Sequence, residues 1–291
     1  MNGTDLCFAS ATELQRLYRT REASPREVMD AVFARIDAVN PKLNAYVTLA
    51  RESALAEADA ASREITVGGD LAWLHGVPIS IKDLTATRGI RTTYGSKIYE
   101  HNVPTEDALV VERLKAAGAI VIGKTNTPEF GAGSNTFNAV FGVTRNPWNP
   151  ALTCGGSSGG AAVGLATGMG PLAQGTDLGG SLRNPAAFCG VVGLRTTPGL
   201  VPVYPTDLAW DSLSVTGPMA RTVSDVALML SAMAGPDDRA PLSYDVDTSE
   251  FTGAVQHPNV AGWRVAWSPD LNGLIPVEGA QRPNTRAWCT S

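Results

Sequence analysis

The sequence is short of the residues on which many kinds of chemistry depend. Only three histidines, His75, His101 and His257, occur in 291 residues. A histidine-based catalytic apparatus therefore has few places to start. The four cysteines, Cys7, Cys154, Cys189 and Cys289, are widely separated and include no CxxC pair. That excludes a zinc ribbon, supplies no disulfide framework, and makes a reducing cytoplasm the expected location. No basic run interrupts a chain of formal net charge −5, which argues against a nucleic-acid partner. No stretch approaches 18 uninterrupted apolar residues, and the N-terminus lacks a basic region followed by an apolar core. Neither a membrane span nor a signal peptide is expected.

What the sequence does contain is typical of a globular protein with a substantial core: 44% hydrophobic and 18% charged residues. Its 30 glycines and 19 prolines show no repeat, so they point to turns and close backbone approaches. The region 10–66 reads as helices. Ser10 with Glu13, and Ser24 with Pro25 and Glu27, are helix starts. Val28, Val32, Ile36 and Val39 then share one helical face. From residue 72 the period changes. "GVPISIKD", "IVIGK" and "PLAQGTD" read as strands, and "TEDALVVERLKAAGA" and "SGGAAVGLATGM" as helices. This alternation predicts an α/β fold with a largely parallel core sheet over 72–235. "SVTGPMARTVSDVALMLSAMAG" reads as a turn and a helix capped by Thr222 and Asp225, and "GWRVAW" as a further strand.

Three motifs compete for the chemistry. "GAIVIGKT" satisfies the phosphate-loop pattern through Gly118, Gly123, Lys124 and Thr125. Its middle, however, is a strand-forming apolar run, and no helix follows, so the match reads as coincidence. "GGSSGG" fits G-x-S-x-G at Ser157 or Ser158. The base would then have to be His257, in what looks like a surface turn. A flexible linker would cut the α/β alternation in half. The third candidate is "GTDLGGSLRNP", where glycines free backbone amides beside Ser181 at the start of a short helix, a favourable place for developing negative charge. With histidine lacking, Lys82 at the end of "VPISIK" can serve as base. Its pKa must then fall from about 10.4 to near neutrality, roughly 4 kcal/mol of differential stabilisation from burial. A serine of "GGSSGG" would relay the proton.

Together, "GVPISIKD", "CGGSSGG" and "GTDLGGSLRNPAAFCGVVGLRTTPG" resemble the amidase signature family of serine amidohydrolases, over roughly Ala11 to Asp270. The resemblance implies a mixed central β-sheet covered by helices on both faces. It implies Lys82 as base, Ser157 as a bridging serine after a cis peptide bond, and Ser181 as the nucleophile that becomes the acyl-enzyme. The backbone of Leu178, Gly179, Gly180 and Ser181 would form the oxyanion hole. Ser158 is expected to support the loop, and Asp177 and Arg183 to brace it, while "GAGSN" at 131–135 lines the pocket. No metal and no cofactor are required. The partner is a small-molecule amide, a linear one, and a homodimer is allowed. Within the family the choices are a stand-alone amidase for small or aryl amides, the A subunit of glutamine-dependent tRNA amidotransferase, and an inactive fragment.

The sequence departs from the family in two places. Ala161 stands where a serine is common. The family-like sequence also fades after "RVAWSPDL", so the amidase domain is expected to occupy 1–270. Residues 271–291 are expected to be an aberrant or unstructured tail, leaving the fold incomplete at its C-terminus and its activity impaired.

Overall fold

The computed structural model describes residues 2–68, 71–266, 268 and 270–275. The chain divides into one compact unit through Gln256 and a second from His257. The first unit begins with helices α1 (Gly3–Phe8), α2 (Ala11–Thr20) and α3 (Pro25–Leu43), followed by strand β1 (Tyr46–Leu49) and helix α4 (Arg51–Val67). The caps follow the sequence pattern. Ser10 Oγ accepts from the Glu13 amide, and Ser24 and Glu27 form a reciprocal capping box with Pro25 at the first helical position. α1 and β1 are additions to the helices expected there. β1 is only four residues long and half-buried, too short for its alternation to stand out.

The rest of this unit builds the sheet: β2 (Pro78–Lys82), α5 (Leu109–Ala116), β3 (Ile120–Thr125), the two-residue strands β4 (Phe137–Asn138) and β5 (Gly142–Val143), α6 (Gly159–Ala166), β6 (Leu172–Asp177), α7 (Arg183–Cys189), β7 (Val192–Gly193), β8 (Val215–Ala220), α8 (Val223–Met233) and α9 (Ser249–Gln256). Six strands form one sheet in the order β1-β3-β2-β6-β8-β7. The β3-β2-β6 centre is parallel, while β1, β8 and β7 join antiparallel. The sheet is therefore mixed, as the family resemblance implied, and less parallel than the α/β alternation suggested. Helices pack on both of its faces, among them α4 against β3, α6 against β2, β3 and β6, and α8 against β8. Every residue of β2, β3 and β8 is buried, which explains their near-continuous apolar sequence.

β8 occupies what the sequence reads as a turn. Gly217 and Pro218 would normally break a strand, and Pro218 has no N–H to give to a ladder. Here its carbonyl accepts from the Leu194 amide (3.2 Å), so the residue is used only on its acceptor side. The strand expected at "GWRVAW" does not form over 262–266, and Trp267 lies outside the described residues. A strand needs a neighbouring backbone edge, and no described residue pairs with this stretch. The buried carboxylate of Asp225, at the start of α8, accepts from the amides of Ala11 (3.0 Å) and Thr12 (3.1 Å). It thereby fastens the N-terminal helices to the core.

Candidate active site

The site lies where the parallel strands β2 and β6 end, the usual place for a binding crevice in such a sheet. Lys82 is the last residue of β2 and is completely buried. Its Nζ lies 2.6 Å from Ser157 Oγ and 2.9 Å from Thr176 Oγ1. Burial pushes the amine down to about 7, against the opposing pull of the negative charge on Asp177. Around neutral pH much of this amine is therefore uncharged, and its contacts are hydroxyls, which can accept from it or donate to it.

Ser157 and Ser158 sit on the bend that enters α6, and the Gly156–Ser157 peptide is cis. Ser158 is buried and clamps the bend. Its Oγ donates to the Thr176 carbonyl (3.3 Å), and its amide donates to the Ser181 carbonyl (3.2 Å). Two glycine-rich loops far apart in sequence are thus tied together. Ser157 and Ser181 line one cavity of about 450 Å³, with Leu84, Phe130, Leu178 and Asn184 among the other walls. Gly131, Ala132, Gly133 and Ser134 also face it. The side chain of Asn135 instead accepts from Thr153 Oγ1 at 2.7 Å.

Asp177 organises the loop that carries Ser181. Its fully buried carboxylate accepts from the Leu182 amide (3.1 Å), from Arg183 Nε (3.0 Å) and from Arg195 Nη1 (3.0 Å). Burial alone would raise its pKa. The hydrogen bonds from Arg183 and from the Gly180 and Leu182 amides, with the Arg183 charge, instead hold it well below the usual carboxylate range.

Of the four amides expected to face an oxyanion, one is engaged elsewhere. The Gly180 amide donates to Asp177 Oδ1 at 2.8 Å, so it is already committed to bracing the loop. The amides of Leu178, Gly179 and Ser181 have no such partner among the described residues, which leaves three of the expected four donors. Gly180 is still required for its conformation: φ is +112°, and a Cβ there would meet Asn184 Nδ2 at 2.7 Å.

Two site residues escaped the sequence reading. Thr176 looked like an ordinary strand residue, and only the β2–β6 register brings its hydroxyl to Lys82. Arg195 lies beyond α7, inside the block that carries the family resemblance but with no role read for it, yet it also donates to the Asp177 carbonyl and to the Leu213 carbonyl.

The competing motifs are resolved by position. Of the stretch from Gly118 to Thr125, Ile120–Thr125 is β3, so it is not a phosphate loop. Gly123 is a glycine because a Cβ would come within 2.3 Å of Thr48 O on the passing strand. None of the three histidines lines the cavity. His75 contacts the Ala61 carbonyl, and His101 and His257 are exposed. Cys154 and Cys189 are buried thiols, pushed by desolvation up to about 11 and about 12, and Cys289 lies outside the described residues. Among the described residues, no group of three or more His, Cys, Asp or Glu could hold a metal, and no helix is long and apolar enough to cross a membrane.

Residues 27–282 match the Amidase family. The match runs past Asp270, where the resemblance carried by the motifs ends. An acylamidase of Rhodococcus erythropolis is 45% identical over 289 residues, covering 99% of this chain and 59% of that protein. The A subunit of the glutamyl-tRNA(Gln) amidotransferase of Carboxydothermus hydrogenoformans is 47% identical over 247 residues, 85% of this chain and 51% of that protein. A crystal structure of a bacterial aryl acylamidase of the amidase signature family superposes with a TM-score of 0.79 at 36% identity, covering 82% of this chain and 50% of the other. The chain thus spans between half and three-fifths of the length of these relatives. With a family match of that extent and identities of that order, the chain belongs to the amidase signature family.

Proposed function

We propose that the protein hydrolyses carboxylic amides, linear ones, to an acid and ammonia or an amine, with Ser181 as nucleophile, Ser157 as proton relay and Lys82 as base. The observation that carries the reading is the Lys82 amine. It is dry, lowered to near neutrality and 2.6 Å from a serine hydroxyl, and that serine shares its cavity with Ser181.

Neutral Lys82 takes the Ser157 proton as Ser157 takes the proton of Ser181. Ser181 Oγ then forms a bond to the amide carbon, and the carbonyl oxygen becomes an oxyanion facing the Leu178, Gly179 and Ser181 amides. Collapse breaks the C–N bond, and the proton returns through Ser157 to the departing nitrogen. Water, deprotonated by the same relay, adds to the ester. The C–O bond breaks, the acid leaves, and Ser181 regains its proton. The protons pass among the lysine, the two serines, the leaving nitrogen and water, so the steps call for no metal or cofactor.

A second cavity of about 440 Å³ shares Leu84, Thr176 and Ser214 with the first and is walled in part by Tyr94, Val203 and Leu208. This supports a substrate larger than the simplest amides, and so a stand-alone enzyme for small or aryl amides, acting in the cytoplasm. The 47% identity to an amidotransferase A subunit favours a second reading, in which the same chemistry releases ammonia from glutamine within a complex.

The test is labelling by a fluorophosphonate probe, with Ser181→Ala as control, alongside amine release from anilides and glutamine. Labelling that disappears in the control supports the proposal. An unlabelled, correctly folded chain would overturn it in favour of a silent fragment. Glutamine turnover together with a stably bound partner would select the second reading.

A further inference from the structure

The core holds a second buried amine that the proposed mechanism does not use. Lys124, in β3, is fully buried, although a methionine would fill similar space without the cost of desolvating a charge. What the amine adds is two hydrogen bonds, to the Thr85 carbonyl (2.5 Å) and to Thr87 Oγ1 (2.8 Å). A neutral amine has two N–H groups, and these two acceptors satisfy both. Both acceptors lie in the turn that directly follows Lys82. β3 is the parallel neighbour of β2, with Ile81 opposite Lys124 and Lys82 opposite Thr125. The same turn carries Leu84, a wall of the cavity shared by Ser157 and Ser181. Its other ties include the Thr85 amide to the Lys82 carbonyl (3.0 Å), the Asp83 amide to the Thr125 carbonyl (3.0 Å), the Ala108 amide to the Ala86 carbonyl (2.9 Å), Thr87 Oγ1 to the Thr85 carbonyl (3.2 Å), and Thr93 Oγ1 to the buried Asp83 carboxylate (2.6 Å).

We propose that Lys124 is a positioning residue: from the adjacent strand it pins the Thr85–Thr87 turn, and so holds the strand end that presents Lys82 to Ser157. The inference rests on Lys82 acting through Ser157 as proposed above. Burial pushes Lys124 down to about 7. Asp83 and Asp107 favour its charged form, and the Lys115 charge opposes it. Protonation would add a third N–H for which the turn offers no acceptor among the described residues.

The test titrates Lys82 directly, by NMR of the chain carrying 13C-labelled lysine, with Lys82→Met assigning the signal. Lys124→Met and the milder Thr87→Val are then compared with the unaltered chain. Loosening the turn lets water reach Lys82, so its titration should move upward from about 7, by about one pH unit in Lys124→Met and less in Thr87→Val. Labelling of Ser181 should slow about tenfold to a hundredfold in Lys124→Met. A purely structural role would lower the melting temperature and leave the Lys82 titration in place. An unmoved Lys82 signal in a folded Lys124→Met chain overturns the inference. If that variant does not fold, an unmoved signal in Thr87→Val does so. An unaltered chain whose Ser181 is never labelled fails the hydrolytic reading instead, and the Lys82 titration still judges whether Lys124 holds it.

Discussion

Lys82 and Lys124 make a natural pair. They stand on neighbouring parallel strands, both are fully buried, and burial brings both amines to about 7. They differ in what surrounds the nitrogen. Lys82 touches two hydroxyls, both on residues that line the cavity, whereas Lys124 touches a carbonyl and a threonine hydroxyl in a turn of the core. The Thr87 hydroxyl donates back to the same Thr85 carbonyl and lines neither cavity, so it is a dead end for a proton, while the Ser157 hydroxyl opens onto the cavity it shares with Ser181. Equal burial therefore produces two different groups, one suited to moving protons and the other to holding backbone. A shifted pKa marks a candidate, and the neighbouring atoms decide its role.

The comparison can be broken most directly at Lys82. Lys82→Met should lower the rate of Ser181 acylation by roughly 10²–10⁴-fold, the span of general base catalysis, measured by single-turnover labelling. A loss no larger than that of Lys124→Met would erase the distinction. Next in size is Asp177→Asn. It removes a buried charge that holds two guanidinium groups and should destabilise the fold by about 3 kcal/mol in denaturant unfolding.

The third prediction concerns pH and treats the two lysines alike. Between about pH 7 and 10.4 the unfolded chain keeps both lysine protons while the folded chain has released them. The unfolded state then binds more protons, so stability rises with pH in that window, by at most about 1.4 kcal/mol per pH unit for each lysine. Unfolding curves across the window should be flatter for either lysine-to-methionine variant than for the unaltered chain. Equal slopes would show that the amines stay charged in the fold. The smallest effect is expected at Thr176. Thr176→Val keeps the shape and removes one hydroxyl from Lys82, and should slow acylation by about fivefold to tenfold. A full loss of labelling would instead place Thr176 on the proton path beside Ser157.

Legibility from the sequence followed the range of the interactions involved. The helix starts at Ser10 and Ser24 could be read because a cap is completed within three residues. β2 and β3 could be read because strands buried on both faces are largely apolar, and β6 because of its place in the strand–helix alternation. β8 could not, since Pro218 contradicts a strand unless its neighbours are known. The blocks bearing Lys82, Ser157 and Ser181 stood out as motifs, since glycines cluster where the backbone bends around a reactive group. The parts played by Thr176 and Arg195, both inside the block that bears Ser181, and the diversion of the Gly180 amide to Asp177 left no such trace. Each depends on an atom brought close by chain pairing or by a loop returning from elsewhere.

Local chemistry along the chain therefore specified which residues are equipped to react, because backbone freedom, hydroxyls and an amine at a strand end are properties of short segments. Folding settled which amine is dry beside the hydroxyls of a cavity, which is dry inside a closed turn, and which amides remain without a partner. Solvent exclusion and hydrogen-bond partnership are collective properties of the packed sheet and its loops, and no single segment contains them.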